Sequence, residues 1–132
     1  MRVLYLCPHG AAKSVIATAL TRDLAERRGV DVVANNAGTE PDATLNPIAL
    51  NALHTRGLDY ADPPRRVEGA DIEAADLVVT LGCDVEDLPA VPSTLIDWSD
   101  VPDASADVEQ LISILEQRIA ELVVANTGLR AT

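Results

Sequence analysis

Residues 3–14 read Val3-Leu4-Tyr5-Leu6-Cys7-Pro8-His9-Gly10-Ala11-Ala12-Lys13-Ser14. The apolar run Val3 to Leu6 is too brief for a helix and is bounded by Pro8 and Gly10, so it reads as a buried strand ending at the first cysteine. From Ser14 the pattern changes. Val15, Ile16, Ala19, Leu20 and Leu24 recur at helical spacing, Arg27, Arg28 and Gly29 supply a cationic last turn and a stop, and Ser14 stands where an N-cap is expected. A loop of small residues between a strand and a helix N-terminus can curl its N–H groups around an oxyanion.

The same alternation continues along the chain. Val30 to Ala34 predict a second strand, followed by a polar loop from Asn35 to Thr44 and a helix from about Asn46 to Arg56, opened by Pro47 and ended by Gly57. After Pro63-Pro64, a short helical stretch around Asp71 to Ala75 leads into Leu77 to Leu81, an unbroken apolar run that looks buried on both faces. A loop with Asp84, Glu86, Asp87 and two prolines precedes a weaker strand at Thr94 to Ile96. The closing helix carries the clearest amphipathic stripe: Val108, Leu111, Ile112, Leu115, Ile119, Leu122 and Val123. Strands alternating with helices imply an α/β fold, an open parallel sheet with helices on both faces. Both cysteines then lie at the carboxyl edge of the strands, where such sheets bind ligands.

The chain of 132 residues suits one domain, and 48% hydrophobic residues with mean hydropathy +0.12 exclude a disordered chain. Ten basic against twenty-one acidic residues give a net charge of −11 and a pI near 4.3, which repels nucleic acid and anionic membranes. Neither is an expected partner. Cys7 and Cys83 are too few for a disulfide scaffold, and no CxxC or paired histidines suggest zinc; neither metal nor cofactor is expected, and a reducing cytoplasm is the expected setting. Met1 to Cys7 is too short for a signal peptide, and no run approaches the roughly 18 apolar residues of a membrane span. Nine of the basic residues are arginine; the single lysine is Lys13.

Chemistry concentrates at that lysine's neighbour. Loop amides and the helix N-terminus stabilise the thiolate form of Cys7, Lys13 adds a full charge, and the Ser14 hydroxyl can donate to the sulfur. A cysteine after a strand also serves as a small buried residue. The small-residue loop and the adjacent cation favour a nucleophile.

The pattern Cys, five residues, cation, Ser at Cys7 to Ser14 resembles the low-molecular-weight protein tyrosine phosphatases and the thiol-dependent arsenate reductases that share their fold. The resemblance runs on through Ala37-Gly38-Thr39, Asn46-Pro47, Gly57-Leu58-Asp59, Ala75-Asp76-Leu77-Val78-Val79 and the closing helix. Gly82-Cys83 with the proline-containing loop, and Trp98 ahead of an Asp, look like the arsenate reductase branch. The resemblance implies a flavodoxin-like, three-layer fold with strand order 2-1-3-4. It also implies that Cys7 attacks arsenate or a phosphate ester held by His9, Gly10, Ala11, Ala12, Lys13 and Ser14, while a carboxylic acid protonates the leaving oxygen. Asp103 is the candidate acid, with Asp100 a rival and helix initiation the alternative role.

For arsenate reduction a second thiol must attack the Cys7 adduct. Cys83 is the candidate, since the strands ending at Cys7 and Gly82 are expected to be neighbours about 4.8 Å apart; a buried, inert thiol is its alternative reading. The third cysteine of thioredoxin-coupled relatives is missing at Asp87 and Leu88, so any disulfide would have to be reduced directly, or a small thiol reductant would replace the relay. Lys13 replaces the family arginine and trades a bidentate fork for a mobile point charge. Pro8 offers no N–H, Gly10 replaces a bracing asparagine, and His9 either supports the thiolate or faces solvent. His54 is read as unrelated to the site. Three readings follow: an arsenate reductase-like thiol enzyme, a phosphate monoester hydrolase working through phosphocysteine, and a weakly active oxyanion-binding or phosphocysteine-carrier module.

Overall fold

The computed structural model describes residues 1–127. Four parallel strands, β1 (Arg2–Cys7), β2 (Val33–Gly38), β3 (Leu77–Thr80) and β4 (Leu95–Asp97), form one sheet in the order β2-β1-β3-β4. The helices are α1 (Lys13–Arg28), α2 (Pro47–His54), α3 (Gly69–Ala74) and α4 (Ala104–Thr127), with a single 3-10 turn at Val85–Asp87. The expected order 2-1-3-4 is the observed one.

Alternation along β1 divides the core. Val3, Tyr5 and Cys7 face a large cluster shared with α1, α2 and α4, which includes Ile16, Leu53, Leu111, Ile112 and Leu115. Leu4 and Leu6 face a smaller cluster with Val67, Ile72, Ala75 and Val78, covered by α3. All four residues of β3 are buried, as its continuous apolar run predicts. Helix α1 is buried from Ser14 through Thr21, wider than the stripe suggested, because the sheet and α4 both pack on it.

Two sequence expectations shift. The second strand lies at Val33–Gly38 rather than Val30–Ala34. Gly29 closes α1 in the left-handed conformation, and the Val30 N–H reaches back to the Ala25 carbonyl, so Val30 belongs to the turn. Asn35 and Asn36 read as loop residues, yet both sit in the strand with side-chain partners. The Arg22 guanidinium donates to Asn35 Oδ1 at 3.2 Å and the Tyr60 hydroxyl donates to Asn36 Oδ1. Second, Ser14 is not the N-cap of α1. Ala12 occupies that position with no capping side chain, and Ser14 lies buried inside the first turn.

Asn46 caps α2. Its Oδ1 accepts from the N–H groups of Ile48 at 2.8 Å and Ala49 at 3.4 Å, with Pro47 in the first turn. Within α4, Asp107 departs from helical geometry and its carboxylate accepts from Gln110 N–H at 3.0 Å, so it restarts the helix after a kink. Asn46→Ala is expected to lower stability by about 1 kcal/mol in chemical denaturation, because two amide donors lose their acceptor.

Candidate active site

Cys7 is the last residue of β1, and the chain then turns through residues 8–12 into α1. Three carbonyls of this loop accept from the segment that follows β2. Pro8 O accepts from Glu40 N–H at 2.7 Å, His9 O from Asp42 N–H at 3.0 Å and Ala11 O from Asn46 N–H at 3.0 Å. Because a peptide's N–H and C=O point oppositely, fixing those carbonyls toward residues 40–46 turns the N–H groups of His9, Gly10 and Ala12 the other way. The sulfur lies on that side: Gly10 N–H donates to Cys7 Sγ at 3.2 Å. Ser14 Oγ is 3.0 Å from the same sulfur. A neutral thiol donates to that oxygen, and on ionisation the hydroxyl rotates to donate to the thiolate. The Gly10 amide, the Ser14 hydroxyl and the N-terminal end of α1 meet beside Cys7.

Close approach of two backbones makes this possible. Gly10 adopts φ +60°, and a Cβ there would lie 3.0 Å from Gly38 N; a Cβ on Gly38 would lie 2.7 Å from Pro8 O and 2.8 Å from Gly10 N. Both positions need glycine, one for its left-handed backbone and the other for space. The sequence placed Gly38 in a loop and in a stretch that resembles the family, with no sign of this close approach. Nor does Gly10, standing for a bracing asparagine, leave the cradle loose, since the three hydrogen bonds from 40–46 hold it.

Over the sulfur opens a cleft of about 380 Å³ lined by Cys7, Pro8, His9, Ala11, Ala12, Lys13, Asp42, Asn46, Leu81, Gly82, Asp103, Ala104 and Ser105. Lys13 Nζ lies 2.8 Å from Asp103 Oδ1, with the lysine side chain 16% and the aspartate 72% exposed. Hydrogen bonding to the ammonium, reinforced by its charge, holds the Asp103 carboxyl below the usual carboxylate range. Asp103 does not initiate α4 with its side chain; its backbone carbonyl accepts from Ala106 and Asp107. The rival, Asp100, is held by Arg118 in a two-pronged pair at 2.7 and 2.6 Å, which also lowers its pKa, and it does not line the cleft. His9 faces solvent at the rim, with Nδ1 3.1 Å from Asp42 Oδ1. Asp42 is a cleft residue the sequence did not single out. His54 lies on α2, 3.5 Å from Asp59 and apart from the cleft lining.

Cys83 is placed differently. β1 and β3 are neighbours, with Leu6 opposite Thr80, and Leu81 N–H donates to Leu6 O at 2.7 Å. After Gly82, at φ +100°, the Cys83 side chain enters the smaller apolar cluster with Leu4, Leu6 and Val78, on the sheet face opposite Cys7. Its sulfur is 3.7 Å from Leu6 O, and burial, with the nearby Cys7 charge second, pushes its thiol up to about 11. Among the described residues no group of His, Cys, Asp or Glu is placed to hold a metal ion, and no helix is long and apolar enough to cross a membrane.

This architecture has relatives. The family described as low molecular weight phosphotyrosine protein phosphatase matches residues 2–94. The chain belongs to that family. A Halobacterium salinarum protein named "Putative arsenate reductase" is 30% identical over 125 residues, covering 89% of this chain and 87% of that protein. Among solved structures, the thioredoxin-dependent arsenate reductase of Corynebacterium glutamicum superposes with TM-score 0.77 at 32% identity over 94% of this chain. The chain spans 60% of that protein's length. The arsenate reductase of Archaeoglobus fulgidus gives TM-score 0.72 at 26% identity, covering 92% of this chain and 98% of that one. The family member described here keeps the cysteine loop while carrying Lys13 as its cation.

Gly38→Ala is expected to destabilise the fold by about 1–3 kcal/mol, because the added methyl meets backbone and not flexible side chains. A thermal melt checks this, and a thiol-reactivity assay should show the Cys7 environment altered in the same variant.

Proposed function

We propose that the protein is an arsenate reductase-like thiol enzyme in which Cys7 attacks an oxyanion held in the loop cradle. The observation that supports this most is the convergence of Gly10 N–H and the Ser14 hydroxyl on Cys7 Sγ, with Lys13 at the same cleft. A thiolate stabilised by fixed donors is a nucleophile, and the amides beside it suit the oxygens of a tetrahedral anion. The names of the Halobacterium, Corynebacterium and Archaeoglobus relatives point to arsenate as that anion.

In the first step the Cys7 sulfur forms a bond to As(V) and one oxygen leaves as water, protonated by Asp103. Cys83 then attacks the Cys7 sulfur, the sulfur–arsenic electron pair departs with arsenite, and the two thiols end as a disulfide. Two electrons pass from sulfur to arsenic. A thiol reductant returns the disulfide to its starting state. For the second step Cys83 has to leave its apolar cluster, and the glycine before it, with its positive φ, is the natural pivot.

That burial favours a second reading, a low-molecular-weight phosphatase type of monoester hydrolase. It uses the same Cys7 attack and the same acid, and water in place of Cys83 breaks the phosphocysteine intermediate. A catalytically weak oxyanion-binding or phosphocysteine-carrier module is the limit in which that last step fails.

Arsenate reduction and p-nitrophenyl phosphate hydrolysis, measured side by side, test these readings. Cys7→Ser is expected to abolish both activities. Cys83→Ser should abolish arsenate reduction and spare hydrolysis; retained arsenate turnover in this variant overturns the two-thiol scheme. Lys13→Arg is expected to raise turnover by about tenfold or more, because a planar fork grips two equatorial oxygens of the transition state where an ammonium grips one. No gain in either assay removes lysine as the weak point of the loop.

A further inference from the structure

Lys13 faces two possible partners across one cleft. In the free protein its ammonium is 2.8 Å from Asp103, and that contact leaves the aspartate ionised, the wrong form for donating a proton. We infer that an incoming oxyanion takes Lys13 away from Asp103, and that Asp103, once released, binds a proton from solvent and becomes the general acid of the site. The inference rests on the reading that the Cys7 loop binds an oxyanion, and it adds how the acid is charged.

The geometry favours the exchange. The lysine side chain is only 16% exposed and the aspartate 72%, so the cation already lies inside the cleft while its carboxylate partner stands mostly in water. Releasing Asp103 costs little, since exposed ion pairs change equilibria by roughly fivefold or less. A dianion in the amide cradle offers the ammonium twice the charge in a less hydrated place. Space is available: a Cβ built at Gly82 would still be 3.7 Å from Lys13 Nζ, so no side chain crowds the ammonium there.

Other charged groups do not replace Lys13 as the partner of Asp103. From the cysteine loop, His9 is paired with Asp42 of the β2–α2 connection, and Cys7 carries negative charge when ionised. On the same segment as Asp103, Asp100 is occupied by Arg118 of α4, and Asp107 caps the main part of α4. Once Lys13 moves to the anion, every charge left close to Asp103 in the cleft is negative or already paired, which raises its proton affinity. One proton enters as the anion binds, and one leaves with the departing oxygen. No oxidant or reductant takes part in this step.

Sulfate binding to Cys7→Ser protein, measured by calorimetry at about pH 5 in buffers of different ionisation heat, tests the exchange. Sulfate remains a dianion at that pH, so any proton taken up goes to the protein. The expected result is uptake of a substantial fraction of a proton by Cys7→Ser and close to none by Cys7→Ser/Asp103→Asn, with sulfate bound as tightly or a few-fold more tightly by the latter. His9 is present in both proteins and cancels. The carboxyl carbon resonance of Asp103 in Cys7→Ser protein gives a second measurement that needs no change at Asp103; its titration should move to higher pH when sulfate is added. Equal proton uptake by the two proteins, or an Asp103 titration unmoved by bound sulfate, overturns the inference and leaves the oxyanion reading standing. Absence of sulfate binding in both proteins overturns the reading and the inference together.

Discussion

Contact between two stretches of backbone, with no side chain between them, is the constraint on which the site depends. Gly38 ends β2 against the loop that follows β1, and the next residues, Glu40, Asp42 and Asn46, donate to three of that loop's carbonyls. Buried carbonyls need donors in any fold. Here the donors all come from one side, so the peptide planes are turned the same way and their N–H groups collect on the other. The row of N–H groups facing the cysteine is the complement of an ordinary hydrogen-bond account. Asn46 serves it twice, by its own N–H to Ala11 O and by capping the helix that anchors the segment.

The break in strand geometry at Gly82 then assigns the two sulfurs opposite environments. Cys7 continues the Val3, Tyr5 series, but at the strand end, where the open carboxyl edge supplies donors and a cleft instead of hydrocarbon. Cys83 follows a glycine that reverses the chain, and its side chain joins Leu4 and Leu6 among apolar neighbours. A thiol in hydrocarbon resists ionisation, and the Cys7 charge close by adds to that resistance. One sulfur therefore meets hydrogen-bond donors at an open cleft and the other lies among apolar side chains. Any chemistry that needs both must include movement of the 82–83 segment, because the turn at Gly82 leaves the sulfurs on different faces of the sheet.

The α/β alternation and the position of the cysteine loop were legible in strongly periodic segments, the run at Val3 to Leu6, the run at Leu77 to Leu81 and the stripe of α4, while the strand order came from the resemblance to the family. The edge strand was less so. Asn35 and Asn36 carry the composition of a loop, and only tertiary partners, Arg22 and Tyr60, explain why they extend. Ser14 illustrates the same limit at the site. Its position suits a cap, yet the sulfur 3.0 Å away makes a different demand on its hydroxyl, and α1 begins without a side-chain cap. Gly38 and Asp42 were invisible as functional residues because their roles arise from contacts across some thirty positions of sequence. A single glycine in a polar loop carries no sign that another backbone will approach it.

In a chain of net charge −11, the distribution of the basic residues decides what the cleft presents. Arginines are committed elsewhere: Arg118 to Asp100, Arg65 to Asp71, Arg56 to Glu109 and Arg27 to Asp23. The basic residues lining the cleft are Lys13 and His9, and each is matched by a carboxylate, Asp103 and Asp42. The free cleft thus presents no excess positive charge, and long-range steering favours no anion. What the cleft offers at short range is its fixed backbone dipoles, Gly10 N–H among them. Fixed dipoles are not screened by the distant acidic surface, whose influence in solution fades within about 10 Å at moderate salt. In the free cleft the flexible ammonium of Lys13 is free to swing between Asp103 and whatever enters beside it, but it grips one oxygen where a planar fork grips two.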